Sequence, residues 1–94
     1  MMSYIVLFCG EIHSKAEFFS ALRVPLSYPN YFSPNLDALH DLLSERCVTL
    51  ELRDFEKLID SLGGYADAIR KMLTDSDREY GNFKLIIKYQ PYGV

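Results

Sequence analysis

Along this chain, dense apolar runs give way to helical stripes, and the change of period marks the elements. Tyr4 to Cys9 is a continuous apolar and β-branched run, which suits a strand covered on both faces. Ser14 and Glu17 form an S-x-x-E capping box ahead of Phe18, Phe19 and Leu22, so a helix should begin near residue 14. It should end before Pro25, because a proline pushes the residue before it out of the helical region. Pro25 to Pro34 is an aromatic-rich loop holding Tyr28, Asn30, Tyr31 and Phe32. Ser33 and Pro34 fit the N-cap and first-turn positions of a second helix, whose Leu36, Leu39 and Leu43 recur at i, i+3 and i+7.

Val48, Leu50 and Leu52 then alternate with Thr49 and Glu51, the pattern of a half-exposed strand. Asp54 can cap a short third helix with Phe55, Leu58, Ile59 and Leu62 as its apolar stripe, stopped at Gly63-Gly64. Tyr65, Ala68, Ile69, Met72 and Leu73 mark a fourth helix, and residues 83 to 89, FKLIIKY, a last strand. QPYGV reads as a loose tail. The order is β-α-α-β-α-α-β, which predicts an α/β fold: a small three-stranded parallel sheet packed with about four helices and joined by right-handed crossovers. Ninety-four residues suit one domain over 1–94.

Charge adds a question that periodicity leaves open. Residues 31–45, YFSPNLDALHDLLSE, hold three acids, and no Lys or Arg occurs from Val24 to Glu45, although the chain has ten basic residues elsewhere. Asp37, Asp41 and Glu45 recur every four residues, away from the leucine stripe, with His40 at the rim between the two faces. Phosphate binding needs clustered cations, so direct nucleic-acid binding is not expected at a net charge of −3 with this distribution. No segment approaches a membrane span, and YIVLFC is too short and too poor in flanking basic residues for a signal-peptide core, so a cytoplasmic protein is expected. Cys9 and Cys47 lack a CxxC partner or a metal-ligand pattern and read as reduced structural thiols.

Catalytic chemistry finds little support. His40 beside Asp37 or Asp41 is the one candidate acid-base pair, with His13 far off before a helix cap. Carboxylates along one straight helical face converge poorly on a small ion, and Gly63-Gly64 lacks the Lys of a phosphate-binding loop, so neither metal nor cofactor is expected. The plain reading of the acids is a solvated helix face. Tyr28, Tyr31 and Phe32 just before the helix, with Asn35 at its start, favour a protein interface instead, since aromatics beside desolvatable charges are what interfaces use.

Those residues carry a resemblance. YFSPNLDALHDLL resembles the motif of the barstar family, in which a Tyr-containing loop leads into an N-L-D-A-L-x-D helix; VTLELRDFEKL, the element order and the length are compatible with it. Barstar is the intracellular polypeptide inhibitor of barnase, a secreted bacterial ribonuclease, and the family fold is a small parallel α/β sheet. The resemblance implies an inhibitor rather than an enzyme, monomeric when unbound, whose loop and second helix plug the basic active site of a ribonuclease or toxin nuclease domain. By motif match, Tyr31 would be the loop aromatic, Asn35 a polar contact or helix-start residue, and Asp37 and Asp41 the carboxylates aimed at the enzyme's cations, Asp41 the stronger anchor. Ser33 stands where the family inhibitor has Gly, and His40 where it has Trp, so both would alter the rim of the contact. A second acidic contact, from the late helix, falls at Asp75 or Ser76. The competing readings are a barstar-like interaction module for another basic protein, a homo-oligomer, or an enzyme built on His40.

Overall fold

A computed structural model describes residues 3–89, in the order β1 (Ser3–Phe8), a short 3-10 turn (Cys9–Glu11), α1 (Lys15–Leu26), α2 (Leu36–Leu43), β2 (Val48–Arg53), α3 (Phe55–Leu62), α4 (Gly64–Glu79) and β3 (Phe83–Ile87). The sheet has the order β1-β2-β3 and is parallel throughout, with Ile5 beside Leu50 and Leu50 beside Leu85. This is the α/β order expected from the periodicity. The QPYGV segment lies outside the described residues.

The two crossovers step in the same direction across the sheet, and crossovers of one hand then lay their helices on the same face. Burial follows: Ile5, Leu7, Val48, Leu50, Leu52 and Phe83 are buried on that face. Leu22, Leu26, Leu39, Leu43 and Leu73 gather over Ile5, Val48 and Leu50, around a void too small for water. β1 is therefore not covered on both faces as its apolar run suggested, since Tyr4 and Phe8 are exposed on the far side.

On that open face the half-exposed reading of β2 also fails, because Thr49 and Glu51 are buried along with their neighbours. Glu51 is only 2% exposed and accepts hydrogen bonds from the Tyr4 hydroxyl and Arg53 Nε, with Lys88 Nζ 3.8 Å away. Tyr4 from one edge strand, Lys88 just past the other and Arg53 from the central strand itself thus close over Glu51. The hydrogen bond from Arg53, and then that from Tyr4, hold the Glu51 carboxyl below its ordinary range.

Helix ends differ from expectation where tertiary partners act. Ser14 Oγ accepts from Glu17 N at 3.1 Å and Glu17 Oε1 accepts from His13 N at 2.6 Å, so the capping box forms. Yet α1 runs through Pro25 to Leu26. Proline costs a helix one N–H bond, but Leu26, buried one residue further, holds the last turn on the core. Ser27 turns left-handed (φ 52°) and the helix closes in a Schellman motif, with Ser27 N bonded to Val24 O and Tyr28 N to Arg23 O. Asp54 precedes α3 as expected but is left-handed and makes no side-chain cap; the Phe55 amide is taken by Lys88 O at 3.1 Å. Gly63, with φ 58° and ψ −131°, separates α3 from α4 in a conformation other residues avoid. β3 ends at Ile87 rather than residue 89, although Lys88 N still donates to Leu52 O at 2.8 Å.

Candidate functional site

The Schellman turn that ends α1 starts the aromatic loop. Tyr28 is aimed inward: its hydroxyl donates to Phe19 O at 2.8 Å and its ring stacks on Phe32 with centroids 3.9 Å apart. Burial raises the Tyr28 phenol well above its ordinary value, so it remains a donor. Phe32 N bonds Pro29 O at 3.0 Å, closing a tight turn. Two aromatics are thus spent on anchoring the loop, and Tyr31 between them is left 83% exposed.

Asn35, not Ser33, caps α2: its Oδ1 accepts from Ala38 N at 2.8 Å, while Ser33 and Pro34 remain in the loop. Asn outcompetes Ser here because its side chain stands one turn before a free amide and Pro34 fixes the approach. Leu39, Leu42 and Leu43 are buried, so Asp37 and Asp41 point outward. Glu45 lies in the turn beyond the helix rather than on it.

The helix forms a ridge between two clefts, and this divides the expected site residues. Tyr31, Ser33, Asn35, Asp41 and Glu45 line one cleft of about 340 Å³. Asp37, His40, Lys71 and Asp75 line the other, of about 370 Å³. Asp37 and Asp41, one turn apart on the helix, thus open to different clefts, and Glu45 lies past the helix end. Of the two residues offered for the late helix, Ser76 is fully buried and donates to Met72 O at 3.0 Å, whereas Asp75 opens into the second cleft, 3.7 Å from Lys71 Nζ.

Among the described residues no Lys or Arg makes an ion pair with Asp37, Asp41 or Glu45, a state shared with other surface acids such as Asp60 and Asp77, while Glu51 pairs with both Arg53 and Lys88, Asp67 with Arg70 and Asp75 with Lys71. Arg46, the nearest cation in sequence, is turned away: its Nε donates to Leu26 O at 2.9 Å and Nη2 to Ser27 O at 3.2 Å. Asp41 is left 86% exposed.

His40 is packed at the rim. Its Nδ1 lies 3.1 Å from the Tyr80 hydroxyl and 3.9 Å from Asp41 Oδ1, and its Nε2 lies 3.3 Å from Glu79 Oε2. Burial first, with Glu79 and Asp41 close by, raises the Tyr80 phenol above its ordinary value. Glu79 and Tyr80 were not expected near the site; forty residues separate Tyr80 from His40, and no local pattern links them. Asp41 at 3.9 Å is beyond hydrogen-bond reach of the imidazole, whose nearer carboxylate is Glu79 on α4 rather than an acid of α2. Among the described residues no three potential ligands gather as a metal site, and no helix is long and apolar enough to cross a membrane.

Two helices in each crossover of a three-stranded parallel sheet, with the α1–α2 loop leading onto an outward ridge, define an α/β protein of the barstar type. The chain belongs to the barstar family: the family model described as Barstar (barnase inhibitor) matches residues 2–90. It is also 37% identical over 71 residues to the Bacillus subtilis (strain 168) protein named "Putative ribonuclease inhibitor YrdF", an overlap covering 71% of this chain and 78% of that protein.

Proposed function

We propose that this protein is a ribonuclease inhibitor that binds a basic barnase-type or toxin nuclease through the loop and α2, occluding the active site without catalysing a reaction. The observation that carries the reading is that Asp37 and Asp41 stand on an exposed ridge beside the exposed Tyr31 with no Lys or Arg partner among the described residues. Membership of the barstar family and the likeness to a protein named as a ribonuclease inhibitor support the same reading. Asp41, with Tyr31, Ser33 and Asn35, is the part of the ridge that reaches the nuclease from the first cleft. Asp37, His40 and Asp75 meet it from the second.

Acids without a Lys or Arg partner break no strong ion pair when they meet a partner's cations, and their summed field steers a basic enzyme to the ridge. The test is RNA cleavage by a barnase-type ribonuclease, titrated with this protein at low and moderate salt. Stoichiometric inhibition is expected. Asp41→Ala should weaken it by about 2–5 kcal/mol, the loss typical of one member of a desolvated charge pair, or roughly 30-fold to several thousandfold in Kd. Glu45→Ala, at the rim, should cost less than about 1 kcal/mol. Equal and negligible effects of the two substitutions would remove the site.

A further inference from the structure

The open face of the sheet is the largest feature that an inhibitor's plug does not use. Parallel sheets are ordinarily covered on both faces. Here the β1-β2-β3 order sends every helix to one side and leaves the other to solvent. Tyr4 and Phe8 are 59% and 48% exposed there, on the same face of β1. Beside Phe8, Arg53 lies over its ring, 5.6 Å from the centroid. Lys84 stands exposed on the far edge strand, in register with Thr49, and Lys88 is exposed just past that strand's end. Among the described residues of the strands, the one carboxylate on this face, Glu51, is buried and already paired with Arg53 and Lys88, while Glu11 and Glu17 lie at the β1 edge in a cleft shared with Val6 and Phe8. Over the sheet itself three cations, Arg53, Lys84 and Lys88, accompany the apolar patch against the single buried carboxylate of Glu51.

The complementary surface is on the same chain. Asp37, Asp41 and Glu45 have no described Lys or Arg partner, and Tyr31 stands out beside them. α2 sits on the core side of the sheet, where Leu39 and Leu43 meet Val48 and Leu50. Its acids therefore face away from the open sheet face, on the opposite side of the molecule. A chain cannot fold one surface onto its own other surface.

From this opposition we infer that the open sheet face docks the acidic ridge of a second copy, stacking copies head to tail. Such a contact is heterologous, so it does not close into a two-fold dimer and grows by addition. It is held by exposed charges, so it is weak and salt-sensitive. It also covers the ridge, so a nuclease and a second copy compete for one surface. The inference rests on the ridge being the docking surface proposed above.

Sedimentation velocity over a concentration series, at low and high salt, tests it with the intact protein. The weight-average mass should rise past that of a dimer at low salt and return to monomer at high salt. Lys84→Glu, which changes an exposed side chain outside the proposed inhibitor site, should weaken association at least tenfold and leave nuclease inhibition unchanged. Phe8→Ala should weaken association as well, independently of charge. Asp41→Ala should weaken both association and inhibition. A monomer at every concentration with inhibition intact would overturn the stacking and spare the inhibitor reading. So would a dimer that plateaus and ignores Lys84→Glu. Association that needs both Lys84 and Asp41, in a protein that inhibits no ribonuclease, would uphold the stacking while removing the inhibitor reading.

Discussion

Removing the Arg46 guanidinium should loosen the loop that leads onto the ridge. Arg46 follows α2 by three residues, yet its side chain reaches back to α1, where Nε and Nη2 donate to the carbonyls of Leu26 and Ser27. Those carbonyls belong to a helix end, which leaves its last C=O groups without intrahelical donors. The guanidinium thus ties together the two ends of the segment that holds Tyr31 and Asn35. Arg46→Met keeps most of the aliphatic stem and removes both donors. A hydrogen bond from a charged donor contributes about 1.5–3 kcal/mol when buried. Arg46 is half-buried and water can replace part of each bond, so we expect about 2 kcal/mol for the pair. Urea denaturation followed by tyrosine fluorescence would measure it, with a fall in Tm of roughly 10 °C as the thermal counterpart. Arg46→Lys should recover little, because an ammonium lacks the fork that spans two carbonyls. A loss below about 0.5 kcal/mol in Arg46→Met would refute the tertiary cap and mean that water satisfies the end of α1 equally well.

Two further outcomes follow from the titratable groups. Burial, with Asp54 and Glu56 nearby, pushes the Cys9 thiol up to about 12, whereas Cys47 is exposed, so a thiol reagent at pH 8 should modify one cysteine rapidly in the native protein and both after denaturation. Glu51, held below the ordinary glutamate value of about 4.3, contributes stability that is fully present above that value and is lost as pH falls through its lower folded value. Glu51→Gln should therefore be less stable than wild type at neutral pH, with the gap closing in acid below about pH 4; a gap independent of pH would assign the effect to packing alone.

How far the chain could be read in advance divides along local and tertiary lines. The order β-α-α-β-α-α-β was legible because the apolar period switches between runs and helical stripes, each a property of neighbouring residues. The outward placement of Asp37 and Asp41 was legible for the same reason, since the leucines of α2 fix its rotation. What was missed depends on residues distant in sequence. α1 passes Pro25 because Leu26 is buried and Arg46 caps the carbonyls from twenty residues away. Glu51 alternates like a solvent-facing residue, and only Tyr4 and Arg53 closing over it make it buried. The choice between Asp75 and Ser76 needed the rotation of α4, which turns Ser76 into the core. The division of the acids between two clefts needed the loop and α4 in place.

The ridge also leaves a mark on stability that separates a binding surface from a merely solvated one. Asp41 lies in the last turn of α2, at the negative end of the helix dipole, with Asp37 four residues before it and Glu45 four after. An anion at that end costs about 0.3–1 kcal/mol at low salt, and the like-charge pair with Asp37 at i, i+4 on the helix costs about 0.2–0.5 kcal/mol. His40 at 3.9 Å is beyond hydrogen-bond reach and offsets little of this. Asp41→Asn keeps the shape and nearly the same helix propensity while removing the charge. It should stabilise the free protein by about 1 kcal/mol at low salt, with a gain that shrinks as salt rises. The same substitution should weaken inhibition of a basic ribonuclease. Urea titration and the ribonuclease assay on one preparation measure both effects. A variant that is destabilised would refute the reasoning, because Asp41 would then belong to the scaffold. Opposite signs in the two assays would show a carboxylate kept against the interest of its own helix, which is what a partner's cations require.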